Sequence, residues 1–258
     1  MSTTLPIVSW IGGKRRLATQ LLPLFPQHTC YVEVFCGGAA LYFLREKPAK
    51  VEVINDTNGE LINLYRVVQN HPDEFMRQFT CTLSSRIAFR WQQLTPPAIL
   101  TDIERAARFY YLQQHAFGGR VTGQVFGTAT TAASVNFYRL EEKLRAAHLR
   151  LAGTFIENLP WQECMQRYDR PHTFFYVDPP YWQVEGYGVP FDIEQYEQLA
   201  EFMRTCKGKV LLSINDHPEM QRIFAGFPME KIAVKYSVGS NHGKPKTAGE
   251  LIVWNWDR

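Results

Sequence analysis

The sequence has few cysteines, little net charge and no long apolar run, and the cysteine pattern and the lack of an apolar run each exclude a class of protein. Its five cysteines are scattered without a CxxC pair or a His/Cys cluster, so neither a disulfide framework nor a zinc site is predicted. No apolar run approaches the roughly 20 residues that span a bilayer. Residues 1–13 lack a cationic segment followed by an apolar one, so we expect no signal peptide and a cytoplasmic protein.

The remaining composition is that of a folded protein. Hydrophobic residues make up 45% and aromatic residues 14% of the 258 residues, which is enough for a sizeable core and argues against disorder. This length suits one large domain or a domain with an inserted lobe. The formal net charge of +3 is compatible with a nucleic-acid partner but does not establish one.

Residues 173–182 combine a strand pattern with an acidic residue, two prolines and two aromatic residues. The apolar run Phe174–Val177 predicts a buried strand, which must end at Asp178 because proline has no N–H to donate. Open α/β sheets bind ligands beyond the carboxyl ends of their strands. A stiff turn there would present a carboxylate, peptide carbonyls and an aromatic face, which suit a flat base with an exocyclic amine. The alternative is a proline-rich surface turn after a core strand.

A glycine turn between two predicted strands is a second candidate site. Residues 30–35 are rich in β-forming types and lead into Gly37 and Gly38, after which a helix is predicted. Asp56 ends the next predicted strand about 20 residues after the glycines, the spacing at which a carboxylate binds ribose hydroxyls. Asp56 could instead cap the helix that follows, although the glycine turn favours the ribose interpretation.

The segment Trp10–Lys14 places a lysine directly after two glycines. A lysine at such a turn can bind an anion or a carboxylate. The segment does not match a phosphate-binding P-loop, because Arg15 stands where that motif has Ser or Thr. Apolar residues at helical spacing up to Phe25 predict a helix immediately after it.

The alternation of strands and helices breaks between about Tyr65 and Leu149. The patterns there predict helices at 75–79, 87–94, 103–114 and 137–150, with a Gly/Thr-rich flexible or hairpin-like loop at 117–128. Five arginines in this region form either a solvated surface or a DNA-binding surface: Arg86, Arg90, Arg105, Arg108 and Arg120.

Alternation resumes after residue 150. Strands are predicted at 154–156, 174–177 and 209–214, and Asp192 is the predicted N-cap of a helix. The last two predicted strands, 232–236 and 250–254, enclose a basic loop that contains Lys244 and Lys246. This loop is either a surface hairpin tip or an arm that contacts phosphates.

Four motifs in a fixed order carry a family resemblance. Trp10–Lys14, Glu33–Gly38, Asp56 and Asp178–Tyr181, in that order, make the sequence similar to the Dam-type DNA adenine-N6 methyltransferases, in a phage- or prophage-like form. The resemblance implies an α/β fold: a Rossmann-like methyltransferase sheet, mostly parallel with an antiparallel terminal strand, and an inserted, mainly helical target-recognition lobe. It divides the chain into a donor-binding part at 1–64, the lobe at 65–150 and the rest of the catalytic domain at 151–258.

The same resemblance implies the reaction and its residues. A methyl group would move from S-adenosylmethionine to N6 of an adenine flipped out of double-stranded DNA, without a metal, in a bacterial or phage-infected cell. The donor would contact Trp10, Lys14, Glu33, Phe35, Gly37, Asp56 and Asp178. Asp178, Pro179 and Tyr181 would hold the adenine, with the Tyr181 ring stacking and its hydroxyl secondary. The expected DNA contacts are Arg120, Lys244 and Lys246.

The sequence departs from the family pattern in two places. The family turn is usually F-x-G-x-G, whereas Ala39 replaces the last glycine here, and we expect it to keep a negative φ. The usual Glu-Pro-Phe is Glu33-Val34-Phe35. In the lobe, residues 115–120 differ from the Asn-Gly pattern common in enzymes that methylate GATC, so the recognised sequence stays open. The motifs specify neither the oligomeric state nor a restriction-enzyme partner.

Three rival functions fit less well. Cytosine-N4 methyltransferases more often carry Ser-Pro-Pro, and enzymes that modify glutamine carry Asn-Pro-Pro-Tyr, so Asp178 favours adenine. A catalytically inert DNA-binding relative is disfavoured by the intact set of Lys14, Asp56, Asp178 and Tyr181. A Rossmann dehydrogenase has no use for Asp-Pro-Pro-Tyr in a nicotinamide site.

Overall fold

The structure is a computed structural model that describes residues 4–82, 84–127, 139–184, 190–235 and 247–257. The described strands are β1 Cys30–Glu33, β2 Val51–Asn55, β3 Phe155–Glu157, β4 Thr173–Val177, β5 Lys209–Asn215, β6 Met229–Lys235 and β7 Thr247–Trp254. They form one sheet in the order β3-β2-β1-β4-β5-β7-β6.

Helices connect and cover these strands. The described α-helices are α1 Ala18–Leu21, α2 Ala40–Leu44, α3 Gly59–Asn70, α4 Pro72–Arg77, α5 Arg86–Leu94, α6 Asp102–His115, α7 Leu140–Leu151, α8 Trp161–Tyr168, α9 Ile193–Thr205 and α10 Pro218–Ile223. Short 3-10 helices occur at Lys14–Arg16, Leu22–Leu24, Pro97–Ile99 and Phe117–Gly119. None of the described helices is both long and apolar enough to be a candidate membrane span.

The sheet is mostly parallel. Strands β3, β2, β1, β4 and β5 pair in parallel, and β7 runs antiparallel to both β5 and β6. The predicted Rossmann-like methyltransferase sheet with an antiparallel terminal strand is thereby confirmed. The chain fills one side of β1 with β2 and β3 and then returns to place β4 on the other side. This reversal between β1 and β4 is where open α/β sheets bind ligands.

Side chains of the central strands alternate between two apolar cores. Tyr31 and Phe174 face the core that helices α1–α7 share. Val32 and Phe175 face the other core, formed with α8, α9 and α10. Because helices cover both faces, every residue of β1 and β4 is buried, which explains why these strands are not patterned with alternating polar residues.

The described part of residues 65–150 consists mainly of helices α4 to α7. The Gly/Thr-rich segment between α6 and α7 begins as a hairpin: the Phe117 N–H donates to the Val125 carbonyl over 2.9 Å, and Ala116 and Phe126 form an antiparallel bridge. The hairpin-like form of this loop is therefore confirmed for the described residues. Residues 128–138, which complete the predicted loop and begin the predicted helix, lie outside the described part of the chain.

The lobe is continuous with the sheet domain. Helix α3 runs across the predicted boundary after residue 64, and Phe75 of α4 belongs to the same apolar core as Tyr31 of β1. Arg150, at the end of α7, bonds to Glu52 of β2 and stacks its guanidinium 3.8 Å above the Tyr42 ring. The boundaries at 64/65 and 150/151 stay a prediction.

Asp192 had been predicted as a helix N-cap, and Asp56 had been considered as one only as an alternative to ribose binding. Asp192 is confirmed as the N-cap of α9, because its Oδ1 accepts the Gln195 N–H over 3.3 Å. The alternative that Asp56 caps the helix after β2 is wrong. The N-cap of α3 is Asn58, whose Oδ1 accepts two backbone N–H groups of the first turn, each at 3.1 Å. Asp56 is thereby left for another role.

The remaining differences from the predicted helices are local. The helix expected after Lys14 is broken into a 3-10 turn, the four-residue α1 and a second 3-10 turn that contains Pro23. Proline removes a backbone donor, so a continuous α-helix through Pro23 is disfavoured. Helices α8 and α10 were not predicted.

Candidate active site

A cavity lies at the carboxyl ends of β1 and β4, at the reversal point of the sheet. Its lining residues fall in the segments 10–14, 33–40, 56–57, 160–162, 176–180 and 190–195. All seven residues predicted to contact a methyl donor are among them: Trp10, Lys14, Glu33, Phe35, Gly37, Asp56 and Asp178. The fold therefore brings together residues that are as far as 168 positions apart, from 10 to 178.

Gly37 is the point at which the glycine turn needs a residue without a side chain. Its φ is +46°, and a Cβ built there would lie 2.6 Å from two atoms of the Trp10 ring. Its N–H donates to Asp56 Oδ2 over 2.9 Å, and its carbonyl accepts the Tyr65 hydroxyl over 2.7 Å. The turn is thus held between Trp10 on one side and, on the other, Asp56 after β2 and Tyr65 in the middle of α3.

Ala39 does not have the backbone conformation that was expected. Its φ is +49° and its ψ is +43°, in the left-handed region, whereas a negative φ had been predicted. This conformation costs an L-residue about 1–2 kcal/mol relative to glycine. Ala39 is fully buried, and its N–H donates to the Cys36 carbonyl over 2.6 Å. Packing and this hydrogen bond hold the turn in a conformation that the side chain alone would disfavour.

Asp56 places its carboxylate at the end of β2, directly beside the glycine turn. Oδ2 accepts the Gly37 N–H and Oδ1 accepts the Asn58 N–H, both over 2.9 Å. Burial raises the pKa of this carboxyl group, and the backbone N–H donors oppose that shift because they favour the charged form. The Asp56 carboxylate therefore links the segments that follow β1 and β2, and it also lines the cavity.

Glu33 is a second acidic residue in the cavity wall. Its side chain is buried, and Oε2 accepts the Tyr31 hydroxyl over 2.8 Å and the Tyr42 N–H over 2.9 Å. Burial raises the pKa of Glu33 to about 8, against the effect of both hydrogen bonds, and the nearby charge of Asp178 raises it further. At neutral pH this group is therefore mostly protonated.

Asp178 follows β4 directly and faces the Lys14 ammonium. Lys14 Nζ lies 2.6 Å from Asp178 Oδ1 and also donates to the Gly12 carbonyl over 3.2 Å. Burial raises the pKa of Asp178 to about 7, Lys14 opposes that shift, and the charge of Glu250 adds to it. Asp178 can thus change its protonation state near neutral pH.

The rest of the Asp-Pro-Pro-Tyr turn is held by residues from three other elements. The Tyr196 hydroxyl of α9 donates to the Pro180 carbonyl. The side chain of Asn215, at the end of β5, accepts the Trp182 N–H over 3.0 Å and donates to the Trp182 carbonyl over 3.1 Å. The hydroxyl of Tyr181 donates to a carboxylate on β7. Proline stiffness is therefore only part of what fixes this turn.

The predicted adenine-binding residues are not equally placed with respect to the cavity. Asp178 and Pro180 line it, whereas Pro179 is buried and Tyr181 is half-buried. The Lys14 ammonium lies 4.8 Å from the centroid of the Tyr181 ring. Tyr181 therefore contacts Lys14, which lines the cavity, but does not itself line it.

The predicted DNA-binding residues lie apart from the cavity or outside the described residues. Arg120 is exposed, and its neighbour Gly119 packs against the backbone of Ser9, next to Trp10 in the cavity wall. Lys244 and Lys246 lie outside the described part of the chain.

Three of the other arginines in this region have partners within the protein. The Arg86 guanidinium lies 5.0 Å from the centroid of the Phe126 ring. Arg105 pairs with Glu60, and Arg108 donates from Nε to the Gln92 carbonyl over 2.7 Å.

Several cavity residues had not been predicted. Trp161 and Gln162 begin α8, Phe191 packs edge-on against Phe35 with ring centroids 5.6 Å apart, and Gln195 accepts the Trp161 indole N–H over 3.1 Å. The end of β3 is a sequence signal that could have located Trp161 and Gln162, because the residues after that strand meet the same edge of the sheet as Asp56. Within the described ranges, no group of three or more His, Cys, Asp or Glu side chains could hold a metal ion.

The sheet, the cavity at its reversal point and the acidic turn after β4 define a Rossmann-like methyltransferase. The sequence model of the D12 class N6 adenine-specific DNA methyltransferases matches residues 10–238, and the chain belongs to this family. The resemblance to Dam-type enzymes is thereby confirmed, and the protein acts in adenine-specific DNA methylation.

Similar proteins come from a virus and from bacteria. The chain is 25% identical over 245 residues to a Type II methyltransferase, M.CviBI, of Paramecium bursaria Chlorella virus NC1A, covering 93% of this chain and 94% of the relative. It is 24% identical over 268 residues to a DNA adenine methylase of Haemophilus influenzae, covering 96% and 92%. It is 25% identical over 260 residues to the Retron Ec67 DNA adenine methylase of Escherichia coli, covering 96% and 90%.

Proposed function

We propose that the protein transfers a methyl group from S-adenosylmethionine to N6 of an adenine that is flipped out of double-stranded DNA. The observation that carries this proposal is that one cavity joins Asp56 and the glycine turn to Asp178. A nucleoside with a ribose and an amino-acid tail needs a carboxylate for its hydroxyls and a close backbone approach. Gly37 and Asp56 offer both.

The other cavity residues suit the rest of the donor. Trp161 and Phe191 offer aromatic faces for a purine, and Trp10 packs over the glycine turn. Glu33 would receive the ammonium group of the amino-acid tail, beside Phe35. When bound, the donor supplies an electrophilic methyl group on a sulfonium; no metal is needed for that chemistry.

Asp178 and Pro179 would hold the reacting amine. The adenine amine is a poor nucleophile because its lone pair is conjugated into the ring. If the Asp178 carboxylate and the Pro179 carbonyl accept its two N–H bonds, the nitrogen becomes more tetrahedral and its lone pair points at the methyl group. Catalysis would then consist chiefly of orientation and polarisation. The Pro180 carbonyl already accepts the Tyr196 hydroxyl, which favours the carbonyl of Pro179 for this role.

The base must leave the duplex to reach this turn. Stacking on the Tyr181 ring would offset part of the cost of unstacking it. Asp178 need not be a strong base, because the methylated nitrogen loses its proton readily. Its carboxylate is the better acceptor when ionised, which the pKa of about 7 permits at and above neutral pH.

Residues 65–150 would recognise the target sequence, with Arg120 as a contact to bases. The basic loop with Lys244 and Lys246 would bind phosphates. Two facts support a DNA contact at Arg120: the side chain is exposed, and Gly119 packs beside the Trp10 segment of the cavity wall. The bacterial sources of two of these relatives support action in the cytoplasm of a bacterial cell, and action in a phage-infected cell stays a prediction from the resemblance.

The test is to sequence DNA, with detection of N6-methyladenine, from cells that express the chain. We expect N6-methyladenine at one short sequence motif, and none above background with Asp178→Ala. Glu201→Ala removes an exposed carboxylate of α9, outside the cavity lining and the predicted lobe; it is the matched control and should methylate like the unaltered protein. Methylation at cytosine N4, or none from the unaltered protein with a labelled donor, would contradict the proposal.

A further inference from the structure

Glu250 is a buried carboxylate directly beneath the Asp-Pro-Pro-Tyr turn. It lies on β7, where it pairs with Asn215 of β5, and its side chain has no exposed surface. The Tyr181 hydroxyl lies 2.6 Å from Oε1 and 2.5 Å from Oε2, and the Ser213 hydroxyl donates to Oε1. Glu250 therefore accepts hydrogen bonds both from the turn, through Tyr181, and from the neighbouring strand, through Ser213.

The same carboxylate faces the charged pair in the cavity wall. Lys14 Nζ lies 3.6 Å from Glu250 Oε1, 2.6 Å from Asp178 Oδ1 and 4.8 Å from the Tyr181 ring centroid. Lys14 thus stands between two carboxylates and against one aromatic face. One side chain, Glu250, contacts both the ring that would stack on the base and the cation that pairs with Asp178.

Burying a carboxylate costs free energy unless hydrogen bonds and an opposite charge compensate it. The residues after Glu250 on β7 are apolar and buried: Leu251, Ile252 and Val253. An apolar residue would fill position 250 without that cost. Glu250 contacts Lys14 and Tyr181 as well as Ser213 of the neighbouring strand, so its carboxylate serves the turn and the cavity wall and not only the packing of the sheet.

We propose that Glu250 is a positioning residue for methyl transfer: its carboxylate fixes the Tyr181 hydroxyl and the Lys14 ammonium, and so holds the stacking ring and the Asp178 carboxylate in one arrangement. This inference rests on the proposed function of Asp178 and Tyr181. Glu250 acts through these neighbours and does not itself contact the base or the donor.

The charge of Glu250 has a separate, measurable effect. Among the residues that the structure describes, the titratable groups that face Asp178 are Lys14 of the first 3-10 turn, Glu33 of β1, Tyr176 of β4 and Glu250 of β7. The negative charge of Glu250 raises the pKa of Asp178, and Lys14 lowers it. Removing the charge of Glu250 should therefore lower the pKa of Asp178, so that its ionised form persists to lower pH.

The test is Glu250→Gln, with single-turnover methyl transfer measured from pH 5.5 to 9 at saturating donor and duplex. We expect the rate to fall about 10- to 100-fold, the scale for a misplaced reacting group, and the acid limb of the pH profile to move to lower pH. Glu250→Asp keeps the charge but shortens the reach. It should slow the reaction with a smaller shift of the acid limb.

Glu52→Gln is the matched control. Glu52 is also a buried strand carboxylate, but it pairs with Arg45 and Arg150 away from the cavity. It should lower the temperature of unfolding without moving the acid limb. If Glu250→Gln does not fold, Glu250→Asp and Tyr181→Phe, which breaks the same hydrogen bond from the other side, carry the test.

The inference is overturned if Glu250→Gln reacts like the unaltered protein, or slows with its acid limb unmoved. Either result would make Glu250 a structural residue only. The double variant, Glu250→Gln with Tyr181→Phe, gives a further check. If its fold-reduction in rate equals the product of the two single fold-reductions, the inference is overturned, because two changes that break the same hydrogen bond should not act independently. Failure of the proposed function is distinguishable, since the unaltered protein would then methylate no adenine in the same assay.

Discussion

Replacing Gly37 with alanine tests the geometry of the cavity most directly. The backbone φ at Gly37 is +46°, and a Cβ there would lie 2.6 Å from Cδ1 and Nε1 of the Trp10 ring. The residue cannot move away easily, because its N–H is bonded to Asp56 and its carbonyl to Tyr65. Gly37→Ala therefore combines an unfavourable backbone conformation with a steric clash.

The magnitude follows from these two effects. The left-handed conformation costs an alanine about 1–2 kcal/mol, and inserting a methyl group into a packed site costs about 1–3 kcal/mol. We expect the free energy of unfolding to fall by about 2–5 kcal/mol, a large share of the 5–15 kcal/mol typical of a folded domain. Donor affinity should fall as well, because relief of the clash displaces Trp10 from the cavity wall.

Urea unfolding measures the stability, and titration calorimetry measures donor binding. Gly153→Ala is the control, because a Cβ at Gly153 meets no atom within 4 Å and its φ is not positive; it should be neutral or slightly stabilising. Trp10→Ala removes the clashing ring, so Gly37→Ala should cost less stability in that background. If Gly37→Ala were as stable as the unaltered protein, the described contact between Gly37 and Trp10 would be wrong.

Three further predictions concern the donor and the DNA. Asp56→Ala should weaken S-adenosylmethionine binding roughly 10- to 150-fold in calorimetry, since a hydrogen bond to a charged group contributes about 1.5–3 kcal/mol; unchanged affinity would remove Asp56 from the donor site. Donor binding near pH 7 should release a proton from Glu33, whose pKa of about 8 an ammonium partner would lower; calorimetry in buffers of different ionisation enthalpy measures it, and Glu33→Gln should abolish it. Arg120→Ala should relax or abolish sequence preference without changing donor affinity, whereas loss of both would mean that the predicted lobe boundary is misplaced.

The strands were predictable because burial on both faces leaves a strong local signal. Residues 30–35, 51–56 and 174–177 are rich in apolar and β-forming types, and each contains a strand of the central sheet. The short helices α8 and α10 leave a weaker signal, since eight and six residues span at most about two turns. Their helical form depends on packing against the sheet, which the sequence pattern does not reveal.

The cavity residues at strand ends were predictable for a topological reason. The carboxyl ends of parallel strands meet at one edge of a sheet, so acidic and glycine residues that follow such strands converge. Trp161 and Phe191 reach the same cavity from α8 and from the segment before α9, and their positions depend on how those segments pack. The positive φ of Ala39 could not be predicted from the sequence either, because alanine by itself favours a negative φ.

The partner of the Tyr181 hydroxyl could not be predicted from the motif. The motif indicates which groups face a ligand, and on that basis the ring of Tyr181 was expected to matter and the hydroxyl to be secondary. The hydroxyl bonds to Glu250, which is 69 residues away and at the start of an apolar strand segment. Only the antiparallel register of β7, which pairs Glu250 with Asn215, brings this carboxylate beneath the turn. The motif residues that line the cavity can thus be found from local sequence, whereas the groups that hold them in place depend on the register of the whole sheet.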